Sequence, residues 1–356
     1  METATHMDMD KLEFSIQTSF LLSLMSIAER PPKRPREEQE HRPESPILRS
    51  PDYWFEDGSI VLQAQSTQFR VAKTMLAIHS AIFRDMLALP NPLNEPRVEG
   101  CPVVVLPDDR AADWKYLLDA MYSKVWLWDP EDEYPTLSQL AGVLRLSRKY
   151  DMPTFTQRAV SRLKTAFPST LSKFDELTKT NGRIQFPGNL THFQFRVEIV
   201  NLAREMGLFS VLPSAFYELA IASSEEGVGL LSDDLFKLHP ADQVTCLRGR
   251  VRLVASLRDG PGKWMDPRNK LVPCASCTTS AGCSDAIETH PYSKLVLQAA
   301  EPALLLDGYP RKIKLCRACE ITTKGIHKSA REKIWERLPS YFELPPWEEL
   351  LRMDLE

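Results

Sequence analysis

The chain has 356 residues, of which 43% are hydrophobic, and its formal net charge is −4 at pH 7. This length and hydrophobic share predict about two domains with apolar cores. The acidic balance argues against a nucleic-acid-binding surface over the whole protein, and the N-terminal apolar run from Phe20 to Ala28 is far shorter than the roughly 20 residues of a membrane span.

Residues 1–50 are predicted to be disordered or of low order. The stretch from Arg30 to Ser50 is rich in proline and charge and has few apolar residues, so it buries too little surface to fold. Within it, Lys33, Arg34 and Arg36 form a short basic cluster of the kind that directs nuclear import. The alternative is a solvated linker whose charges cancel against neighbouring glutamates. The expected location is the cytoplasm, the nucleus or both.

The first ordered segment predicts a β-hairpin followed by two short helices. Ile60 to Ala64 and Phe69 to Val71 are β-rich runs joined by a polar tip, which is the pattern of a hairpin. Ser80 is placed to cap a helix that carries Phe83 and Met86. Such a unit buries little by itself, so the rest of its domain, and often a partner, is needed to cover its apolar face.

The following residues complete an α+β domain over residues 51–168. Val103 to Leu106 is typical of a buried strand, and Pro107-Asp108-Asp109 closes it. Helices with apolar residues at helical spacing follow this strand. They cover Trp114 to Tyr122, Leu137 to Leu144 and Phe155 to Phe167. A hairpin, a helix pair, a strand and then helices predict a small sheet capped by helices.

These residues resemble the BTB (POZ) family. The family pattern is an aspartate before a strand, then Phe-x-Val-His-Lys, a leucine and Ser-x-x-Phe-x-x-Met, with Ala72 here in place of the histidine. Further likeness lies in Pro107-Asp108-Asp109 after the strand and in Lys149-Tyr150 at a helix end. Among BTB proteins, these motif sequences are most similar to those of the BTB proteins that are numerous in mushroom-forming fungi. The matching motif positions are Asp57, Phe69, Lys73, Leu76, Ser80, Phe83 and Met86.

The resemblance implies a protein–protein interaction module. BTB domains commonly homodimerise, and many serve as substrate adaptors for cullin ubiquitin ligases. Some dock the cullin through a hydrophobic-x-Glu motif just after the Ser-x-x-Phe helix, and Leu93-Asn94-Glu95 matches that motif. Leu93 and Glu95 are therefore the candidate partner-binding residues. The alternative for this segment is an ordinary surface loop.

The second half predicts a mostly α-helical region, with a helical extension over residues 169–260 and a Cys-rich segment and C-terminal helix over residues 261–356. The last helix is a charged amphipathic one from Lys324 to Leu338, with Pro339 as its stop. An aromatic tail follows it. This tail either packs back on the helical core or forms a docking surface.

Two Cys-x-x-Cys pairs, Cys274 with Cys277 and Cys316 with Cys319, predict a zinc-stapled segment. Such a turn lets both thiolates reach one ion, and two turns complete a closed tetrahedral Zn site of structural type. Either of two residues between the pairs is an alternate ligand. These alternates are Cys283 and His290. The competing interpretations are reduced thiols without a metal and a redox dithiol, while Cys101 and Cys246 are expected to be core residues.

The sequence contains no catalytic motif: no Gly-rich phosphate loop, no Gly-x-Ser-x-Gly elbow and no His-x-x-x-His pair. The first hypothesis is therefore a dimeric, non-enzymatic interaction protein that acts as an adaptor for ubiquitin transfer. The second is a nuclear transcriptional regulator that binds DNA through the basic Cys-rich region, although direct nucleic-acid binding is not expected from the charge balance. The third is a redox-sensing thiol protein. No membrane association is expected.

Overall fold

The structure is a computed structural model that describes residues 46–90, 96–122, 135–180, 191–225, 237–256, 260–291, 293, 309 and 313–354. Residues Ile47–Glu356 form one unit, and one cluster of buried apolar residues extends through it from Tyr53 to Phe342. The domain boundaries near residues 168 and 260 stay a prediction.

A five-stranded mixed sheet forms the N-terminal part in the order β1-β3-β2-β5-β4. The predicted hairpin is the antiparallel pair of β2 and β3, and β2 also pairs in parallel with β5. The strands are β1 (Leu48–Trp54), β2 (Ile60–Ala64), β3 (Thr67–Val71), β4 (Arg97–Val98) and β5 (Cys101–Leu106).

Strand β1 begins at Leu48, earlier than the predicted start of the first domain at residue 51. Only Ser50 and Tyr53 of this strand are buried, so it lacks the alternating apolar pattern that identifies a strand in a sequence. It lies at the edge of the sheet, pairs in parallel with β3 and contains Pro51, which is tolerated at an edge. Backbone pairing and the burial of Tyr53 hold it in place.

Among the described residues of the first domain, five helices cover the sheet. The predicted cap at Ser80 is confirmed, since its side chain accepts a hydrogen bond from the backbone N–H of Phe83. The helices are α1 (Lys73–His79), α2 (Ala81–Ala88), α3 (Ala111–Met121), α4 (Leu137–Lys149) and α5 (Pro153–Ala166). The α+β fold is thus a small sheet capped by helices.

A buried carboxylate joins three of these elements. Asp109, just after β5, has a side chain that is only 3% exposed. It accepts hydrogen bonds from Trp114 Nε1 of α3 at 2.8 Å, from Tyr150 OH at 2.6 Å and from Lys149 Nζ at 2.6 Å. We call Asp109, Trp114, Lys149 and Tyr150 the Asp109 node. Each of its polar atoms is paired, as a buried charge requires.

The Asp109 node also reaches the hairpin side of the domain. Ser80 Oγ donates to the Tyr150 carbonyl at 2.5 Å, and the Phe83 ring lies 4.7 Å from the Tyr150 ring and 5.9 Å from the Trp114 ring. Aromatic pairs at these separations are favourable beyond the area they bury. The junction of α1 and α2 is therefore held against the end of α4.

The second half is mostly helical, as expected from the sequence. No helix within the described ranges is long and apolar enough to cross a membrane. Short 3₁₀ turns also occur, among them Phe209–Val211, Lys263–Met265 and Pro267–Asn269. The helices are α6 (Leu171–Thr180), α7 (His192–Glu205), α8 (Leu212–Glu225), α9 (Pro240–Ser256), α10 (Ser280–Thr289), α11 (Arg317–Tyr341) and α12 (Trp347–Met353).

The prediction that Pro339 ends the last long helix is wrong. Helix α11 begins at Arg317 and continues through Pro339 to Tyr341. A proline inside a helix frees the carbonyl of the residue four positions earlier, here Trp335. That carbonyl accepts a hydrogen bond from Trp347 Nε1 at 2.9 Å, so the lost backbone bond is replaced.

The aromatic tail packs back on the helical core. The Trp347 ring stacks on the Trp335 ring at 5.6 Å, and Phe342 and Leu350 are buried. Asp354 accepts from Ser210 and pairs with Lys164 of α5. The packing interpretation of the tail is therefore confirmed, and Cys101 and Cys246 are buried core residues as expected.

We expect Asp109→Ala to lower the free energy of unfolding by about 2–5 kcal/mol, because it leaves the buried Trp114 and Tyr150 donors without an acceptor. Urea unfolding of the intact protein measures this loss. Asp85→Ala is the control, since Asp85 is exposed and forms an ion pair with the likewise exposed Arg84, and it should cost no more than about 0.5 kcal/mol. Equal losses for the two variants would contradict a structural role for Asp109.

Candidate functional site: a cysteine cluster and an exposed helix face

Two helix starts and one tight turn bring five cysteines together. In the first Cys-x-x-Cys pair, the Cys277 N–H donates to the Cys274 carbonyl at 3.0 Å, which closes a turn. Cys283 lies in the first turns of α10. Cys316 is the N-cap of α11, and Cys319 lies one turn into that helix.

The thiols of Cys277, Cys283, Cys316 and Cys319 form a compact group in which all Sγ atoms lie within 4.8 Å of one another. The Sγ atoms of Cys277 and Cys316 are 3.7 Å apart. Sulfurs bound to one tetrahedral Zn²⁺ at about 2.3 Å are separated by about 3.8 Å. The spacing of this group is compatible with a structural zinc site.

Cys274 is not in that group of four, but it touches it. Its Sγ lies 3.5 Å from Cys319 Sγ, and its backbone N–H donates to the same sulfur at 3.3 Å. The predicted set was Cys274, Cys277, Cys316 and Cys319 with Cys283 as an alternate. The structure brings all five thiols together, while the second alternate, His290, lies at the end of α10 and outside the group.

Backbone dipoles stabilise negative charge in the cluster. The N–H groups of Cys319 and Thr278 lower the pKa of the Cys316 thiol to about 5, as the start of a helix does for a cysteine. Burial raises the pKa of the adjacent Cys319 thiol well above its usual range. Ionisation of a further thiol beside the Cys316 thiolate is opposed by repulsion between like charges, and a bound cation would remove that repulsion.

Most of the predicted motif residues of the first domain are structural. Phe69, Leu76, Ser80 and Phe83 are buried, and Met86 is half-buried against the core. Two motif positions lie at turns: Asp57 is exposed ahead of β2, and the Lys73 N–H donates to Ser59 Oγ at the start of α1.

Residues 55–166 match the family model for the BTB/POZ domain. This stretch runs from just after β1 to the end of α5 and contains the hairpin, the Ser80 cap and the whole Asp109 node. The chain carries a BTB/POZ domain. BTB/POZ domains are protein–protein interaction modules, and the buried motif residues above are the part of the sequence that builds this one. No curated protein and no solved structure matches the chain.

One helical face of the BTB domain is apolar and open. Ile78 is 75% exposed and Ile82 is 46% exposed, although both are large aliphatic residues. These two isoleucines lie on α1 and at the start of α2, and together with exposed Thr74 we call them the α1–α2 face. Exposed apolar patches can mark interaction surfaces, which makes this face a candidate for one.

Some predicted sites lie outside the described residues. Leu93 and Glu95, the candidate cullin-docking residues, follow α2 in the sequence but belong to residues 91–95. The candidate nuclear-import residues Lys33, Arg34 and Arg36 also lie outside the described ranges.

Proposed function

We propose that this protein is a non-enzymatic adaptor that forms a homodimer through its BTB domain and links a bound protein to a cullin ubiquitin ligase. The observation that carries the proposal is the α1–α2 face, with its two exposed isoleucines, on a domain built for protein interaction. We further propose that a structural Zn²⁺ holds the cysteine cluster, and that the protein acts in the cytoplasm, the nucleus or both.

The α1–α2 face suits a second copy of the chain. A two-fold dimer places the same surface of each subunit against the other, and a pair of isoleucines contacts its own copy without unpaired charges. Burying one isoleucine stabilises a contact by roughly 1.5–3 kcal/mol. Ser80, between the two helices, donates a hydrogen bond to the end of α4. This bond holds α1 and α2 in place before a second chain binds.

We expect the double substitution Ile78→Asp, Ile82→Asp to convert the dimer to a monomer, because it places carboxylates in an apolar contact. Sedimentation velocity of the intact protein measures the change. The control is Val244→Asp, Val251→Asp, which alters two exposed valines on α9 and should leave the dimer intact. A wild-type monomer, or equal dissociation of both variants, would argue against this interface.

The adaptor role rests on the order of elements in the chain. The Leu93-Asn94-Glu95 segment follows α2 directly in the sequence, which is the position of the docking motif in the adaptors that the BTB family includes. Exposed segments beside a rigid scaffold commonly carry binding residues. The same α2 that begins at the α1–α2 face would then lead to the cullin contact.

Affinity purification tests this role. We expect a cullin to co-purify with the intact chain and to be depleted with Leu93→Ala, Glu95→Ala, whereas Asn91→Ala should retain it. The measurement is the amount of cullin recovered per bait. Absence of a cullin from the wild-type purification would contradict the adaptor role. It would leave the proposal of a dimer untouched.

The structural zinc is supported by the chemistry of the donor set. Thiolate sulfur is a preferred Zn²⁺ ligand, and a full thiolate set leaves no open position for catalysis. Cys277, Cys283, Cys316 and Cys319 would hold the ion, with Cys274 able to replace one of them. The ion would supply a crosslink between the turn at Cys277, the start of α10 and the start of α11.

Zinc content measured by mass spectrometry should be near one per chain. We expect Cys316→Ser to lose the metal and Cys101→Ser to keep it, because Cys101 lies in the sheet far along the chain and its Sγ bonds the Gly58 carbonyl. A chain without metal, or equal metal content in the two variants, would favour the free-thiol or redox interpretations. Cys283→Ser and Cys274→Ser, compared in the same assay, identify the fourth ligand.

The DNA-binding alternative receives less support. Several of the basic residues that suggested it are neutralised by carboxylates: Arg331 pairs with Asp175 at 2.5 Å, and Lys324 pairs with Glu320 at 2.5 Å. A nucleic-acid-binding surface needs a continuous field of unpaired cations.

A further inference from the structure

A cleft of about 680 Å³ lies between the C-terminal end of α9 and the middle of α11. Ala255 and Ser256 form one wall with Lys263 of the short 3₁₀ turn. The other wall is one side of α11. Its residues are Gly325, Ile326, Ser329, Ala330, Lys333, Ile334 and Arg337. The cleft is separate from the α1–α2 face and from the thiols of the cysteine cluster.

All charged side chains that line the cleft are basic. Lys263, Lys333 and Arg337 line it, all exposed, and no carboxylate is among the residues that form its walls in the described part of the chain. Three other cations of α11 have acidic partners: Lys324 pairs with Glu320, Lys328 lies 4.0 Å from Glu332, and Arg331 pairs with Asp175. Like charges at i and i+4, as at 333 and 337, destabilise a helix slightly, so this arrangement is costly for the free protein.

The floor of the cleft is open and apolar. Gly325 lies inside α11, where glycine costs about 0.5–1 kcal/mol relative to alanine. A Cβ added there would have no atom within 4 Å, so no close packing in the chain requires a glycine. Beside it, Ile326 and Ala330 are half-buried and Ile334 is buried. Together these residues leave a shallow apolar channel along the helix, bordered by cations.

We propose that this cleft docks an acidic, amphipathic peptide segment of a protein partner. Apolar side chains of the segment would lie on Ile326, Ala330 and the open side of Gly325, and its carboxylates would pair with Lys263, Lys333 and Arg337. Charge complementarity selects this occupant, because a basic or neutral segment leaves the three cations unpaired. The inference deepens the proposed adaptor role by giving the chemistry of the bound protein, and it rests on that role.

The experiment measures binding of a fluorescein-labelled synthetic peptide of Glu, Leu and Ala to the intact protein by anisotropy. We expect binding that weakens with salt and is lost when Lys replaces Glu or Ser replaces Leu in the peptide. The variant Lys333→Glu, Arg337→Glu should bind about tenfold more weakly or worse. The matched control is Lys324→Glu, Lys328→Glu, which makes the same charge change at the same spacing on α11 and should bind normally.

A second pair of variants tests the floor. Gly325→Ala should bind as the wild type does, whereas Gly325→Leu should abolish binding. Both should fold, because a Cβ added at 325 meets no atom within 4 Å and the position is exposed. Equal binding by the two charge variants, no effect of Gly325→Leu, or equal binding of the Ser-containing peptide would overturn the proposal. Binding of a labelled DNA oligonucleotide in place of the peptide would overturn it in favour of a nucleic acid. Sedimentation of the same samples separates failure at the cleft from failure of the dimer.

Discussion

The BTB domain depends on one buried carboxylate. Asp109 is removed from water, so its charge is tolerable only with a full set of donors. Those donors come from α3 and from the end of α4, and the Tyr150 carbonyl in turn accepts from Ser80 between α1 and α2. Hydrogen bonds centred on one side chain therefore connect the elements behind the α1–α2 face, and each polar atom of that network has a partner.

Helix α11 connects several elements of the second half of the chain. It begins at the cysteine cluster, pairs with Asp175 of α6 through Arg331, and donates to the Ser169 carbonyl through Trp335. Beyond Tyr341, Phe342 packs on α9 at Gly249, where an added Cβ would lie 2.2 Å from the ring. A metal at the cysteine cluster would fix the start of α11. The middle of the same helix forms one wall of the basic cleft, so the two features share one helix.

The sequence predicted what local patterns and motifs determine. The hairpin, the Ser80 cap and the strand before Asp109 follow from signals within a few residues. The meeting of the two Cys-x-x-Cys pairs follows from the metal-ligand spacing that both pairs share. The sequence missed β1, which contributes only Tyr53 and the half-buried Trp54 to the buried clusters. It also ended α11 at Pro339, because the Trp347 N–H that satisfies the freed Trp335 carbonyl is a tertiary contact. The inclusion of Cys283 in the compact thiol group depends on how α10 packs, and the basic cleft depends on two helices distant in sequence; neither has a local signal.

Native mass spectrometry of the intact protein, purified without chelator, tests the central claim most directly, because one spectrum reports both subunit number and bound metal. The account predicts a species of two chains, each of 40.6 kDa, carrying one Zn²⁺ per chain. A single chain at every protein concentration would contradict the interaction role assigned to the α1–α2 face. A dimer without metal would retain that role and contradict the assignment of the cysteine cluster.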